Sequence, residues 1–339
     1  MKLICFFWSL ILFSIPAKAA DEPLLPSMIG NRDYIVCGTD LSTSALAYKD
    51  EDNKWQGFDA DLCRNFAAAI IGNEYAFRLK NVSAKNIANA LKNKQIDIML
   101  GNYSISAKEE ISTPIDIIDV LYYDKQMFAT RKEIDAESME DFKGAKVCVI
   151  DGTLDAEMLD EYNHKYALEL KVLKFKSETD AKQAFYTNRC ELISGSELYL
   201  KGVVSDMAMA DNKIYILPEV VNYRPVYAYS AKNRQNIRVK AKWVLNAIKL
   251  AEQQNINSQN IASLIGVRSH SIRNLLGIDK QLWHSFRIYP DWAKKAIKSR
   301  GNYGEIFERN LGVMSKHKIS RDKNNILENG GLISSLPFI

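Results

Sequence analysis

The feature that most constrains this chain is one order of strands and helices written twice. Tyr34 to Gly38 is a short apolar run, and after a polar loop comes GFDADLCRNFAAAIIG, where Leu62, Phe66 and Ile70 recur every four residues. That reads as strand, loop, helix. Asp59 and Asp61 put acids at the helix start, where the dipole favours them, and Gly72 follows the last periodic residue. Tyr75 to Val82 predicts a second strand, Ser83 an N-cap for a helix carrying Ile87 and Leu91, and Ile96 to Leu100 a third strand. A second copy opens at Lys146 with KVCVI, the turn Asp151-Gly152-Thr153 and a helix bearing Leu154, Met158 and Tyr162 on one face. Leu168 to Phe175 then predicts a strand, Ser177 caps a helix through Ala181 and Phe185, and Cys190 to Ser194 closes the unit. Ser83 to Asp97 and Ser177 to Glu191 both span fourteen positions, which brings Gly101 and Gly195 into register. Matched order with matched spacing predicts two similar α/β lobes, each with a mostly parallel sheet flanked by helices.

In such sheets a ligand binds beyond the carboxyl ends of the strands, here the loops at 39–56, 101–110, 151–155 and 194–198. Between the copies runs the aromatic-rich stretch Leu121 to Thr130, and Tyr223 to Tyr229 matches it after the second copy. These read as two crossover strands, a hinge that lets two lobes close. Residues after about 230 then rejoin the first lobe. Ile237, Ala241, Val244, Leu245, Ile248 and Ala251 predict one long amphipathic helix, and Trp243, Trp283 and Trp292 read as core.

At the N-terminus Lys2, an apolar run from Leu3 to Ile15 and Pro16-Ala17-Lys18-Ala19 have the form of an export signal cleaved after Ala19. The run is shorter than the roughly twenty residues of a membrane anchor. Without Lys2 and Lys18 the 45 basic residues fall to 43 against 41 acids, a net charge of +2, with both signs interleaved. That pattern lacks the basic stripe of a nucleic-acid binder. Cys37, Cys63, Cys148 and Cys190 remain, an even number suited to an oxidising compartment. No Cys-x-x-Cys spacing occurs and the four histidines are dispersed, so no zinc site is expected.

Several blocks now carry a resemblance: WQGFDADLCR at 55–64, IDIML with NYS after it, KVCV followed by Gly152-Thr153, NRCEL at 188–192, IRNLLG at 272–277 and above all RGNYGEIFERNLG at 300–312. The chain resembles the periplasmic solute-binding proteins of family 3 that serve polar amino-acid ABC transporters, especially the general L-amino-acid-binding group. The resemblance implies a two-lobed periplasmic-binding-protein-like fold of type II, with residues 20–125 plus 228–339 in lobe one and 126–227 in lobe two. It implies a periplasmic monomer without cofactor that captures an amino acid or another small polar ligand between its lobes and delivers it to the permease. Members of the family hold the ligand carboxylate with an arginine and its ammonium with an acid, aided by loop amides and hydroxyls.

This chain departs from that pattern in the cleft. Aligned on Asn102, the family block Asn-Thr-Thr-Trp-Thr-x-Ser-Arg becomes Asn102-Tyr103-Ser104-Ile105-Ser106-Ala107-Lys108-Glu109, so Glu109 stands at the arginine position with Lys108 beside it. The ammonium-binding acid falls at Ser196, next to Glu197. The Gly-Thr-Thr turn is Gly152-Thr153-Leu154, and the aromatic of the first loop aligns with Leu46. The resemblance therefore nominates Leu46, Ser104, Ser106, Lys108, Glu109, Thr153, Leu154, Ser196 and Glu197 as the ligand set. Their bland alternatives are a solvated loop acid for Glu109 and local caps for Ser104, Ser106 and Thr153.

An altered cleft leaves other readings open: a receptor of cationic ligands, a surface or regulatory protein whose cleft has decayed, and an enzyme of the same fold, such as a dehydratase of carboxylated rings with Glu109 or Glu197 as acid or base. Two disulfides, Cys37 to Cys63 and Cys148 to Cys190, follow from the two-lobe order, because each stays within one lobe and leaves the hinge free. Loss of an arginine and an acid, at about 1.5 to 3 kcal/mol each, predicts glutamate binding weaker by roughly two to four orders of magnitude than in an intact site. Calorimetry of the mature protein, alongside Glu109→Arg combined with Ser196→Asp, checks this; micromolar glutamate binding by the unmodified protein contradicts it.

Overall fold

The computed structural model describes residues 29, 32–131, 138–208, 214–264, 266–279, 283–284 and 286–338. The expected export signal and Cys5 lie outside them. In the first lobe, strand β1 (Ile35–Thr39) is followed by the small hairpin of β2 (Tyr48–Lys49) and β3 (Trp55–Gln56) and by helix α1 (Phe58–Ile70). Then come β4 (Phe77–Asn81), α2 (Ile87–Lys92), β5 (Ile98–Met99) and the short α3 (Ala107–Ser112). The long strand β6 (Ile115–Arg131) leads to β7 (Lys146–Ile150), α4 (Leu154–Tyr166), β8 (Lys171–Phe175), α5 (Glu178–Tyr186), β9 (Leu192–Ser196) and α6 (Glu197–Ala208). A second long strand, β10 (Ile214–Ala231), returns the chain to α7 (Gln235–Gln253), α8 (His270–Leu275), α9 (Trp292–Arg300) and α10 (Tyr303–Asn310).

The strands form one eight-stranded sheet in the order β4-β1-β5-β10-β6-β9-β7-β8. Within each lobe the outer strands are parallel, as the repeated helix crossovers require. The crossover strands are longer than the aromatic stretches predicted. They pair with each other antiparallel from Ile115 opposite Ala231 to Arg131 opposite Ile214, with register shifts along the way. β10 also pairs with β5 of the first lobe, and β6 with β9 of the second. Between those anchored ends the two strands carry the chain from one lobe to the other.

Burial follows the strand period. Ile35 and Cys37 enter the core under α1, α7, α9 and α10, while Val36 faces the α2 side. In lobe two Val147 and Val149 face α4 and Cys148 faces α5 and α6. Each lobe thus has apolar packing on both sheet faces, which explains the near-continuous apolar strands. Trp292 is buried in the first core, with Trp243 and Trp283 packed against it.

The helix-start acids do more than the dipole argument foresaw. Asp61, wholly buried, accepts from Arg300 Nε at 2.6 Å, from Arg309 Nη2 at 2.7 Å and from Asn310 Nδ2 at 2.8 Å. The 300–312 block is therefore a clasp that fixes the C-terminal helices to α1. Ser83 occupies a cap position, but its hydroxyl accepts from the Asn86 side chain rather than from a helix amide.

The disulfides are Cys37 to Cys63, joining β1 to α1, and Cys148 to Cys190, joining β7 to the turn before β9, with Cα atoms 6.2 and 5.8 Å apart. The second closes a separation of 42 residues. Replacing Cys148 and Cys190 together by serine is expected to cost about 2–4 kcal/mol, read by urea unfolding, and to leave the closure of one lobe on the other intact.

Candidate functional site

The two lobes meet at the floor of their cleft on a guanidinium from the second crossover strand. Arg224 on β10 lies directly opposite Asp124 on β6, and their side chains pair at 3.2 Å. Nη1 of Arg224 stands 3.0 Å from Oδ1 of Asp155, in the first turn of α4. Nη2 also donates to Asn102 Oδ1 at 3.2 Å, from the loop after β5. Arg224 is 9% exposed, so these partners take the place of water. Arg224 Nε has no acceptor among the described residues, and Asp155 Oδ1 accepts no aligned hydrogen bond there despite its closeness.

Gln126, completely buried on β6, sets this geometry. Its Nε2 donates to the Asp155 carbonyl at 2.7 Å and to Ser194 Oγ at 3.1 Å, while its Oε1 accepts from Asn222 at 2.6 Å. The start of α4 is thereby fastened to the crossover strands. Asn102 makes the contact between the lobes: its Nδ2 donates to Ser196 Oγ at 3.1 Å while its Oδ1 accepts from Arg224. Ser196 also accepts from the Tyr199 amide at 3.0 Å, as a helix cap does.

One guanidinium faces two carboxylates, and burial, opposed by Arg224 and aided by Asp124, raises the Asp155 carboxyl above its ordinary range. At the start of α5, loss of surrounding water and then the Asp40 charge from the other lobe raise Glu178, with Lys182 opposing them. Among the described residues no group of three or more His, Cys, Asp or Glu is arranged to hold a metal ion.

The residues nominated from sequence divide into two sets. Ser196 meets Asn102 across the cleft, and Ser104 Oγ donates to the Pro225 carbonyl at 2.7 Å beside Arg224. Thr153 caps α4, accepting from the Ala156 amide and donating to the Ile150 carbonyl, and so sets the helix start from which Asp155 reaches the guanidinium; Leu154 is half-buried between them. The other set is engaged elsewhere. Leu46 is wholly buried in the first core and has no surface to offer a ligand. Lys108 is exposed on α3. Glu109 closes a capping box with Ser106, accepting from the Ser106 amide at 2.9 Å, from its hydroxyl at 2.8 Å and from the Tyr103 hydroxyl at 2.8 Å. Glu197 lies 3.8 Å from Lys125, which also pairs with Asp322 of the C-terminal segment at 3.3 Å. Arg224, Asp124 and Asp155, which the structure brings together here, are not among the residues nominated from sequence. The available signal was a lone arginine before Pro225 in a crossover strand.

A fold of two lobes joined by two strands, with polar groups from both lobes converging on the cleft floor, defines a hinged solute-binding protein. The chain belongs to the bacterial extracellular solute-binding proteins, family 3, which match it over residues 35–313. It is 26% identical over 341 residues, covering all of both chains, to the glutamate/glutamine/aspartate/asparagine-binding protein BztA of Rhodobacter capsulatus. It is 27% identical to the general L-amino acid-binding periplasmic protein AapJ of Rhizobium johnstonii, over 98% of this chain and 97% of that one. Among solved structures, an ABC transporter periplasmic binding protein from Brucella ovis with glutathione bound superposes with a TM-score of 0.83 at 28% identity, covering 91% of this chain and 97% of the other.

Burial pushes Glu109 up, but the Ser106 and Tyr103 hydrogen bonds outweigh it and hold the carboxyl below its ordinary value. A depressed folded value means stabilisation that is present above the unfolded value of about 4.3 and lost as pH falls through the folded one. Glu109→Ala is expected to cost about 1 kcal/mol at neutral pH, with the difference from wild type shrinking below pH ~4 in denaturant titrations.

Proposed function

We propose that the protein is the periplasmic receptor of an amino-acid ABC transporter, exported behind a signal cleaved after Ala19. It closes as a monomer over a solute that carries an α-amino and an α-carboxylate group, and presents it to the permease without catalysis. Its lobes divide near residues 125/126 and 227/228. The observation that carries this reading is the convergence of Asn102, Ser196, Asp155 and Arg224 from both lobes and the hinge on one point of the cleft floor. An arginine presents a planar fork that suits a carboxylate, and the start of α4 beside it offers helix-end amides. The amino acids named for the sequence relatives, and the glutathione of the structural relative, share the α-amino and α-carboxylate chemistry.

With the one guanidinium already shared by Asp124 and Asp155, it can receive the α-carboxylate in direct contact but leaves no cation for a further one, which favours neutral or basic solutes. An added like charge several ångströms away costs on the order of 1 kcal/mol or more near a protein surface. The internal pairing of Asn102 with Ser196 also supports a second reading, a receptor whose cleft no longer takes solute.

Mass spectrometry of small molecules released by denaturing the purified protein, followed by calorimetry with what is found, tests both. A neutral or basic amino acid, or a short peptide with a free α-amino acid end, is expected, with glutamate roughly 10-fold weaker or worse. A protein that releases nothing and gives no heat with any amino acid supports the second reading.

A further inference from the structure

We infer that Arg224 is the carboxylate anchor of the cleft and that Asn102 is an internal placeholder, holding the lobes closed until an α-amino acid displaces it. The inference rests on the receptor reading above and names the groups by which that cleft recognises its solute.

Arginine has donors only, so the Asn102 atom facing it must be the carbonyl oxygen, and the amide nitrogen then faces Ser196. The side chain thus presents an acceptor to a buried guanidinium at 3.2 Å and a donor to a buried hydroxyl at 3.1 Å. An α-amino acid presents the same pair, carboxylate and ammonium, in the same sense and with full charges. It would therefore satisfy both groups better than a neutral amide does. The atom that a solute carboxylate would meet is Nη2, at the position Asn102 Oδ1 now occupies, while Nε is buried and takes no part. Asp124 and Asp155 hold the guanidinium in place, so that it need not reorganise when the partner changes. Because Asn102 comes from lobe one and Ser196 from lobe two, the same exchange couples ligand arrival to the link between the lobes.

Two substitutions should act in opposite directions, which a merely structural role would not produce. In the full mature protein, stripped of ligand by denaturation and refolding, Asn102→Ala removes the competitor. The unliganded protein should expand, read as a larger radius of gyration in solution scattering, and L-glutamine should bind about 10-fold more tightly. Arg224→Lys keeps the charge but loses the fork, and should weaken L-glutamine about 10-fold or more, the reverse of the tighter binding expected of Asn102→Ala. Unchanged scattering together with weaker glutamine binding in Asn102→Ala overturns the placeholder. Unchanged glutamine affinity in Arg224→Lys overturns the anchor. If the wild type binds no amino acid at all, the receptor reading falls, and the scattering of Asn102→Ala still decides whether Asn102 holds the lobes together.

Discussion

The pairing of β6 with β10 is the constraint from which the rest follows. Two antiparallel strands that bond to each other through the middle of the molecule, and to lobe sheets only near their ends, bring the chain out of lobe one and back beside where it left. They set side chains in fixed opposition at the cleft floor, Arg224 against Asp124 and Asn222 against Gln126. They also let each lobe keep its own disulfide, while Leu198 of α6 reaches back into the first core. Lobe one grips the first of them firmly. Asn324 clasps the Tyr123 backbone at 2.7 and 2.9 Å, and Asp119 accepts from Asn246 and pairs with the buried Lys249 of α7.

The buried charges in this hinge serve geometry more than stability. Removing a guanidinium and two carboxylates from water carries a large desolvation cost, and their mutual attraction offsets it only with good geometry. Asp124 and Arg224 are therefore better understood as fixing which groups face the cleft. Asp61 is the structural counterpart: with Arg300, Arg309 and Asn310 around it, a buried carboxylate gathers the C-terminal helices onto α1.

Much of the architecture was legible because periodicity reports burial directly. The repeated strand and helix order, the long helix near 235–253 and both cysteine pairings follow from apolar spacing and from which elements share a lobe. The site was less legible, for two different reasons. Glu109 was assigned to the cleft by its place in a family block, although Ser106 three residues earlier spells a capping box that uses its carboxylate locally. Arg224 was missed because its meaning lies in cross-strand register. Nothing in the local string Asn222-Tyr223-Arg224-Pro225 states that Asp124 stands opposite or that α4 begins within reach. Leu46 illustrates a third limit, since alignment to a loop position does not say whether the side chain turns outward or into the core.

The clasp at Asp61 has a further consequence for how the chain is put together. With the segments before β6 and after β10 locked to one another, lobe two is topologically an insert, entered and left through neighbouring strands. Its sole covalent links to the remainder are those two strands, and its disulfide is its own. Such an insert is portable: recombination at two adjacent points could exchange it whole, carrying α4 and Ser196 into a new cleft while leaving Asn102 and the C-terminal helices behind.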